Sequence, residues 1–161
     1  MKRVPVSAAQ QTAHDLLTVL PLLNRMMTVE LRQAAGEDTT MPQFRVLTYL
    51  FNSPLTVSDI ARLRRVSFQS AGELVQSMVE RGWITRIPDP NDRRQSLLHL
   101  TDGGLEAYEQ AQGYMLEHLS DLLASLSEAD LGIIRRAMSL LHSLVANEVE
   151  LGEQDDRNTN P

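Results

Sequence analysis

The sequence predicts a mainly α-helical chain interrupted once, near its middle, by a small β-hairpin. Three observations carry that expectation. Apolar residues recur at three and four positions along most of the 161 residues. The period drops to alternation around residues 83–100, in the runs "WITRI" and "SLLHL". Capping signatures stand ahead of the helical runs.

A first helix is expected over Ala13 to about Ala35, where Leu16, Leu20, Leu23, Met27 and Leu31 repeat at helical spacing. Pro21 interrupts it. Either the helix kinks there, or two shorter helices meet with Pro21 in the first turn of the second. Gly36 and the polar "AAGEDTT" close this segment. Thr40 and Gln43 then form a capping box, with Pro42 tolerated in the first turn and Phe44, Leu47, Leu50 and Phe51 as the apolar face. "NSP" stops that helix. Thr56 and Asp59 open a short one of about two turns, expected to bury Ile60, Ala61 and Leu63. Ser67 caps the next, whose stripe is Ala71, Leu74, Val75 and Met78 and which ends at Gly82.

The two alternating runs bracket the turn "PDPNDRRQ", stiffened by Pro88 and Pro90. Helical spacing returns after Thr101 through Leu105, Tyr108, Met115, Leu119, Leu122 and Leu126. A last capping box, Ser127 to Asp130, starts a helix through Leu131, Ile134, Met138, Leu141 and Val145, with Ile133, Leu140 and Leu144 widening its apolar face. The polar tail "GEQDDRNTNP" is expected to be disordered.

Composition narrows the function. With no run of about 18 apolar residues, no membrane partner is expected. "MKRVPVSAAQQ" has no apolar core of a signal peptide, and a chain without cysteine suits a cytoplasmic location. The absence of cysteine also excludes disulfides, Cys-type zinc sites and thiol redox sensing. His14, His99, His118 and His142 are scattered, so no metal and no cofactor is expected. Nucleophile triads, Gly-rich phosphate loops and paired carboxylates are not recognisable, so the chain does not read as an enzyme.

The net charge of -6 hides an asymmetry. From Met41 to Thr101, eight arginines face five carboxylates, which leaves +3 there and -9 for the remainder. A basic centre between acidic flanks can bind nucleic acid locally. The competing reading is that these arginines merely solvate helix surfaces.

Three capped helices followed by a hairpin make a winged helix-turn-helix. The helix from Ser67 to Arg81 would enter the major groove of double-stranded DNA, with Ser67, Gln69, Ser70, Glu73 and Gln76 toward the bases. Arg62, Arg64 and Arg65 on the preceding helix would meet phosphates, or be solvated surface. The hairpin tip would carry Arg94 to a minor groove, where a narrow negative channel attracts guanidinium, with Arg93 meeting a phosphate. Asp92 reads as the partner that aims Arg94, and Arg86 as phosphate-facing or structural. Trp83 is a ligand-stacking ring or a hydrophobic anchor between wing and helices.

Several stretches together resemble the MarR family of transcriptional regulators: "DTTMPQFRVLTYL", "LTVSDIARLRRVS" and "ERGWITRIPDPNDRRQSLLHLTDGG". Most specific is the wing run, Asp92 and Arg94 followed by Leu100 and Thr101. The resemblance implies a homodimer with interlaced terminal helices, bound at a pseudo-palindromic DNA site. It also implies a repressor released by a small-molecule effector, often a phenolic or aromatic carboxylate. On this reading residues 1–39 are a dimerisation helix and link, 40–101 the DNA-binding domain, 102–150 the C-terminal dimerisation helices and 151–161 a disordered tail.

The wide apolar face from Leu131 to Val145 agrees with a need for a partner. An effector cleft is expected where the first helix, the Met41 helix and the Leu105 helix converge. Arg25 and Arg45 would meet the carboxylate there, with Met26 and Tyr49 among the walls, and His14 would either meet the ligand anion or lie on the dimer surface. One departure matters. Family members often carry Thr-Arg inside the recognition helix, whereas here those positions are Gly72 and Glu73. Glu73 would repel phosphate unless it accepts from a cytosine amine or pairs with an arginine. It is also the clue for an alternative, a winged-helix protein-interaction module that does not bind DNA.

Overall fold

The computed structural model describes residues 7–34, 39–90, 92 and 94–158. Among them the elements run α1 (Ala8–Ala34), α2 (Met41–Asn52), α3 (Val57–Arg64), α4 (Phe68–Glu80), β1 (Ile84–Pro88), β2 (Ser96–Leu100), α5 (Asp102–Leu123) and α6 (Glu128–Asn158). The chain divides into two units, Met1–His118 and Leu119–Pro161. The first holds a complete winged helix-turn-helix.

Local capping explains most helix starts. The Thr40 backbone N–H and hydroxyl both donate to Gln43 Oε1 (2.9 and 3.0 Å), and the Gln43 N–H donates to Thr40 Oγ1 at 3.4 Å. Thr56 and Asp59 repeat this reciprocal arrangement at the head of α3, at 2.7 to 3.1 Å. At the head of α6 the Asp130 N–H donates to Ser127 Oγ.

α1 departs from expectation in two ways. It starts at Ala8 rather than Ala13, because Ser7 and Gln10 cap each other: the Gln10 N–H donates to Ser7 Oγ (3.2 Å) and the Ser7 N–H to Gln10 Oε1 (2.9 Å). It also runs through Pro21 as one helix, so the two-helix alternative fails. The missing N–H of Pro21 costs one rung of the ladder, and the helix continues on either side of it.

The core sits under the wing. Val46 and Leu47 of α2, Ile60 of α3, Ala71, Val75 and Met78 of α4, Ile84 of β1 and Leu98 of β2 are all buried. Tyr108 of α5 closes this cluster, stacked on Phe51 (centroids 4.6 Å) and Phe44 (5.8 Å). Leu63 is a correction: it is 38% exposed. In a helix of eight residues only one face reaches the core, and Ile60 and Ala61 take it. The strands pair antiparallel with Ile84 opposite Leu100 and Pro88 opposite Ser96. Leu55, between α2 and α3, accepts the Leu98 N–H at 2.8 Å, so the wing is tied to the helices along its inner edge.

A second tie fixes the ends of the wing. Gly82, at φ 74°, turns the chain out of α4 as only glycine does readily. Thr101, leaving β2, donates its N–H to the Trp83 carbonyl (3.0 Å) and its hydroxyl to the Gly82 carbonyl, and it caps α5 by accepting the Gly104 N–H (3.0 Å). Gly104 lies so near Trp83 that a Cβ there would collide with the Trp83 backbone.

In the second unit, α6 continues to Asn158, so the tail expected to be disordered from residue 151 is helical over residues 151–158. A helix already nucleated extends at a lower cost than it starts, and Leu151, Glu153, Gln154 and Arg157 favour that extension against Gly152, Asp155, Asp156 and Asn158. Residues 159–161 lie outside the described ones. Ile133, Met138, Leu140, Leu144 and Val145 are each more than half exposed on the single chain.

Candidate nucleic-acid interface

The exposed stripe of α4 is built from Gln69, Glu73, Gln76 and Glu80, spaced by three and four residues. Ser67 caps the helix and accepts the Ser70 N–H at 3.1 Å, while its hydroxyl donates to Ser70 Oγ at 2.9 Å. Gln69 donates to Glu73 Oε1 at 3.0 Å, and Gln76 donates to Glu80 Oε1 at 3.0 Å. Arg86 of β1 donates to Gln76 Oε1 at 3.3 Å. The wing is thereby pinned to the middle of α4, and Gln76 is occupied in holding it.

At the wing tip Asp92 accepts the Arg94 backbone N–H (3.0 Å) and the Gln95 side-chain amide (2.9 Å). These two donors hold its carboxyl below the usual carboxylate range. Asp92 therefore shapes the turn through the main chain. It does not bond the Arg94 guanidinium, so the expected aiming of that side chain by an ion pair is not what it does. Arg94 stays exposed. Arg93 lies outside the described residues.

Arg86 and Arg94 line one cleft of about 250 Å³, together with Gln95, Thr56 and Ser58 at the start of α3, and Phe68 at the start of α4. Phe68 was not legible as a site residue, yet it is 64% exposed. Its spacing continues the Ala71–Val75–Met78 stripe and so reads as core; it is exposed because it stands in the first turn of α4, and no signal in the sequence points to it. Arg62 pairs with Asp59 at 2.8 Å. Burial pushes the Asp59 carboxyl up, but bonds from Thr56 and the Arg62 charge outweigh it and leave the group below its ordinary value. Arg64 is half-buried, and Arg65 is exposed in the left-handed conformation (φ 52°, ψ 47°). Trp83 packs half-buried against the core, with the Arg81 guanidinium 5.0 Å from its ring centroid. It is an anchor.

The expected effector residues are spread out. His14 and Arg25 are both exposed on α1. Their eleven-residue separation is about 16 Å along the axis, so the two do not share one site on this chain. Arg45 reaches α1 and donates to Asn24 at 3.0 Å; Met26 and Tyr49 are half-buried. A second cleft, near 350 Å³, lies instead between the end of α2, β2 and the start of α5, lined by Phe51, His99, Asp102 and Leu105 among others.

Comparison with known proteins bears on this geometry. A model of the MarR family matches residues 37–95. An uncharacterized HTH-type transcriptional regulator of Mycobacterium bovis is 31% identical over 134 residues, 83% of this chain and 92% of that protein. The crystal structure of RV1404 from Mycobacterium tuberculosis superposes with a TM-score of 0.77 at 26% identity, covering 87% of this chain and 95% of that one. A mutant of MarR from Escherichia coli, solved in complex with operator DNA, shares the fold with a TM-score of 0.62 at 22% identity, over 84% of this chain and 99% of that one. Members of the MarR family are transcriptional regulators, not enzymes. A wing clamped to a capped recognition helix, and these likenesses over most of the chain, make the protein a member of the MarR family of HTH-type transcriptional regulators.

Proposed function

We propose that the protein binds double-stranded DNA as a homodimer at a pseudo-palindromic site and represses transcription until a small acidic effector releases it. The observation that carries the DNA reading is the cleft shared by Arg86, Arg94 and the first turns of α3 and α4. It puts two guanidinium groups beside the exposed stripe of α4, on the side where a duplex seated on that stripe would present its backbone. The operator complex of the Escherichia coli relative supports the same reading. The exposed apolar side chains of α6, and Leu17, Leu20 and Leu22 on α1, support a second copy as their cover.

Ligand release is a population shift: an effector that binds better when the two α4 helices are misaligned for successive major grooves lowers DNA affinity. The Arg45–Asn24 bond ties α1 to α2 and supports Arg25, Met26 and Tyr49 as the neighbourhood of that effector. The chain acts in the cytoplasm on this reading; among the described residues no helix is long and apolar enough to cross a membrane.

The deciding experiment is a gel-shift titration with the region upstream of its own gene, comparing wild type with Arg94→Ala. Affinity is expected to fall by about 1–3 kcal/mol while the circular dichroism spectrum stays unchanged. Unchanged affinity in the folded variant removes the wing from the interface. One observation favours a second reading. Glu73 and Glu80 both stand on the exposed stripe of α4, and a protein-interaction module would tolerate them at no cost. Specific binding that survives competitor DNA and weakens steeply with salt excludes that module.

A further inference from the structure

The carboxylate at the centre of α4 is the least expected group on a surface facing a polyanion. Among the described residues its partner is neutral: Gln69 donates to one oxygen of Glu73, 3.0 Å away, and leaves the other as an acceptor. We propose that Glu73, positioned by Gln69, is the specificity-determining residue of the recognition helix and reads the exocyclic amine of a cytosine in each half-site. This rests on the DNA-binding reading above.

The chemistry selects the base. A carboxylate only accepts, so it needs a donor in the major groove. Guanine offers N7 and O6, both acceptors, and thymine offers O4 and a methyl group, so both are repelled. Adenine has a donor but sets the N7 acceptor beside it. Cytosine presents its N4 amine with no neighbouring acceptor of its own, and it is the one base a lone carboxylate fits without penalty.

Position selects the residue. Gln76 and Glu80 are bonded to each other, and Gln76 also to Arg86 of the wing, which leaves the N-terminal half of α4 for base contact. Gly72 beside Glu73 carries no side chain, and nothing lies within 4 Å of where its Cβ would be. The groove edge can approach the helix there. Repulsion by Glu73 also acts against every wrong site, which is discrimination by penalty, with attraction supplied from Arg86 and Arg94 in the neighbouring cleft.

The test is selection of duplexes from a randomised library by the full-length protein, run in parallel with Glu73→Gln and Glu73→Ala. Glu73 is exposed, so both variants should melt as the wild type does. Wild type is expected to fix a C·G pair at one position of each half-site. Exchanging that pair for T·A should weaken wild type about tenfold or more, and Glu73→Ala by less than about twofold. Glu73→Gln is expected to move the preference toward adenine. Glu73→Ala should also bind non-cognate duplex more tightly than wild type, through lost repulsion. If wild type selects a duplex but the base preferences of the variants are identical to its own, this inference is overturned and the DNA-binding reading stands. If wild type enriches no duplex, the DNA-binding reading falls, and this inference with it.

Discussion

Replacing Gly104 by alanine should damage the protein far more than the same change at its neighbour Gly103. A Cβ at Gly104 would press on the Trp83 carbonyl, 2.9 Å from its carbon and closer still to its oxygen. Both contacts are backbone, so no side chain can swing aside. Relief requires the first turn of α5 to retreat on the order of 1 Å, which is typical overpacking at about 1–3 kcal/mol. That retreat stretches the Thr101 N–H bond to the Trp83 carbonyl, now 3.0 Å, and the Thr101 hydroxyl bond to Gly82, out of hydrogen-bonding range. Two such bonds add about 2 kcal/mol, for a total of about 3–5 kcal/mol. At Gly103 the nearest atom to an added Cβ is 3.6 Å away, an ordinary contact. The assay is thermal unfolding of both variants at matched protein concentration, since the proposed dimerisation would make the midpoint concentration-dependent. Gly104→Ala should melt on the order of 10 °C below wild type, and Gly103→Ala within a few degrees of it. If the two variants melt together, the close approach of α5 to the α4–β1 turn is not what holds the wing.

Other expectations follow from single residues. Asp59 has a lowered carboxyl pKa, so its contribution to stability is present above the unfolded-state value and is lost as pH falls through the lower folded-state value. Asp59→Asn should therefore melt below wild type at pH 7, with the gap closing once the pH drops below about 4, as read by melting curves across that range. Arg65 sits in the left-handed region, where a side chain costs on the order of 1 kcal/mol. Arg65→Gly should raise the melting temperature while weakening DNA binding and flattening its salt dependence by about one phosphate contact; a lower melting temperature refutes the strain argument.

Much of the winged unit is written locally. The boxes at Thr40–Gln43 and Thr56–Asp59 are three residues wide, so the sequence states them outright, and the structure forms both. Ser7–Gln10 carries the same signal but precedes the apolar repeat, so a reading led by periodicity starts α1 too late. Leu63 fails for another reason: two turns hold too few residues for spacing alone to say which leucine faces inward. The contact of Gly104 with Trp83 spans 21 positions and depends on how β2 returns, so no local pattern announces it. Glu73 was visible as an anomaly, and the spacing to Gln69 was there to be read. That the two are bonded, and that Gln76 is drawn off toward Arg86, required coordinates.

The hairpin tip separates shape from charge. Among the described residues, Asp92 fastens the bend through an amide hydrogen and a neighbouring glutamine, without the Arg94 guanidinium. That head group can be exchanged by mutation for a shorter, neutral or bulkier one while the scaffold beneath it keeps its form. Grip on a duplex can thus drift up or down over evolutionary time without each step putting the fold at risk.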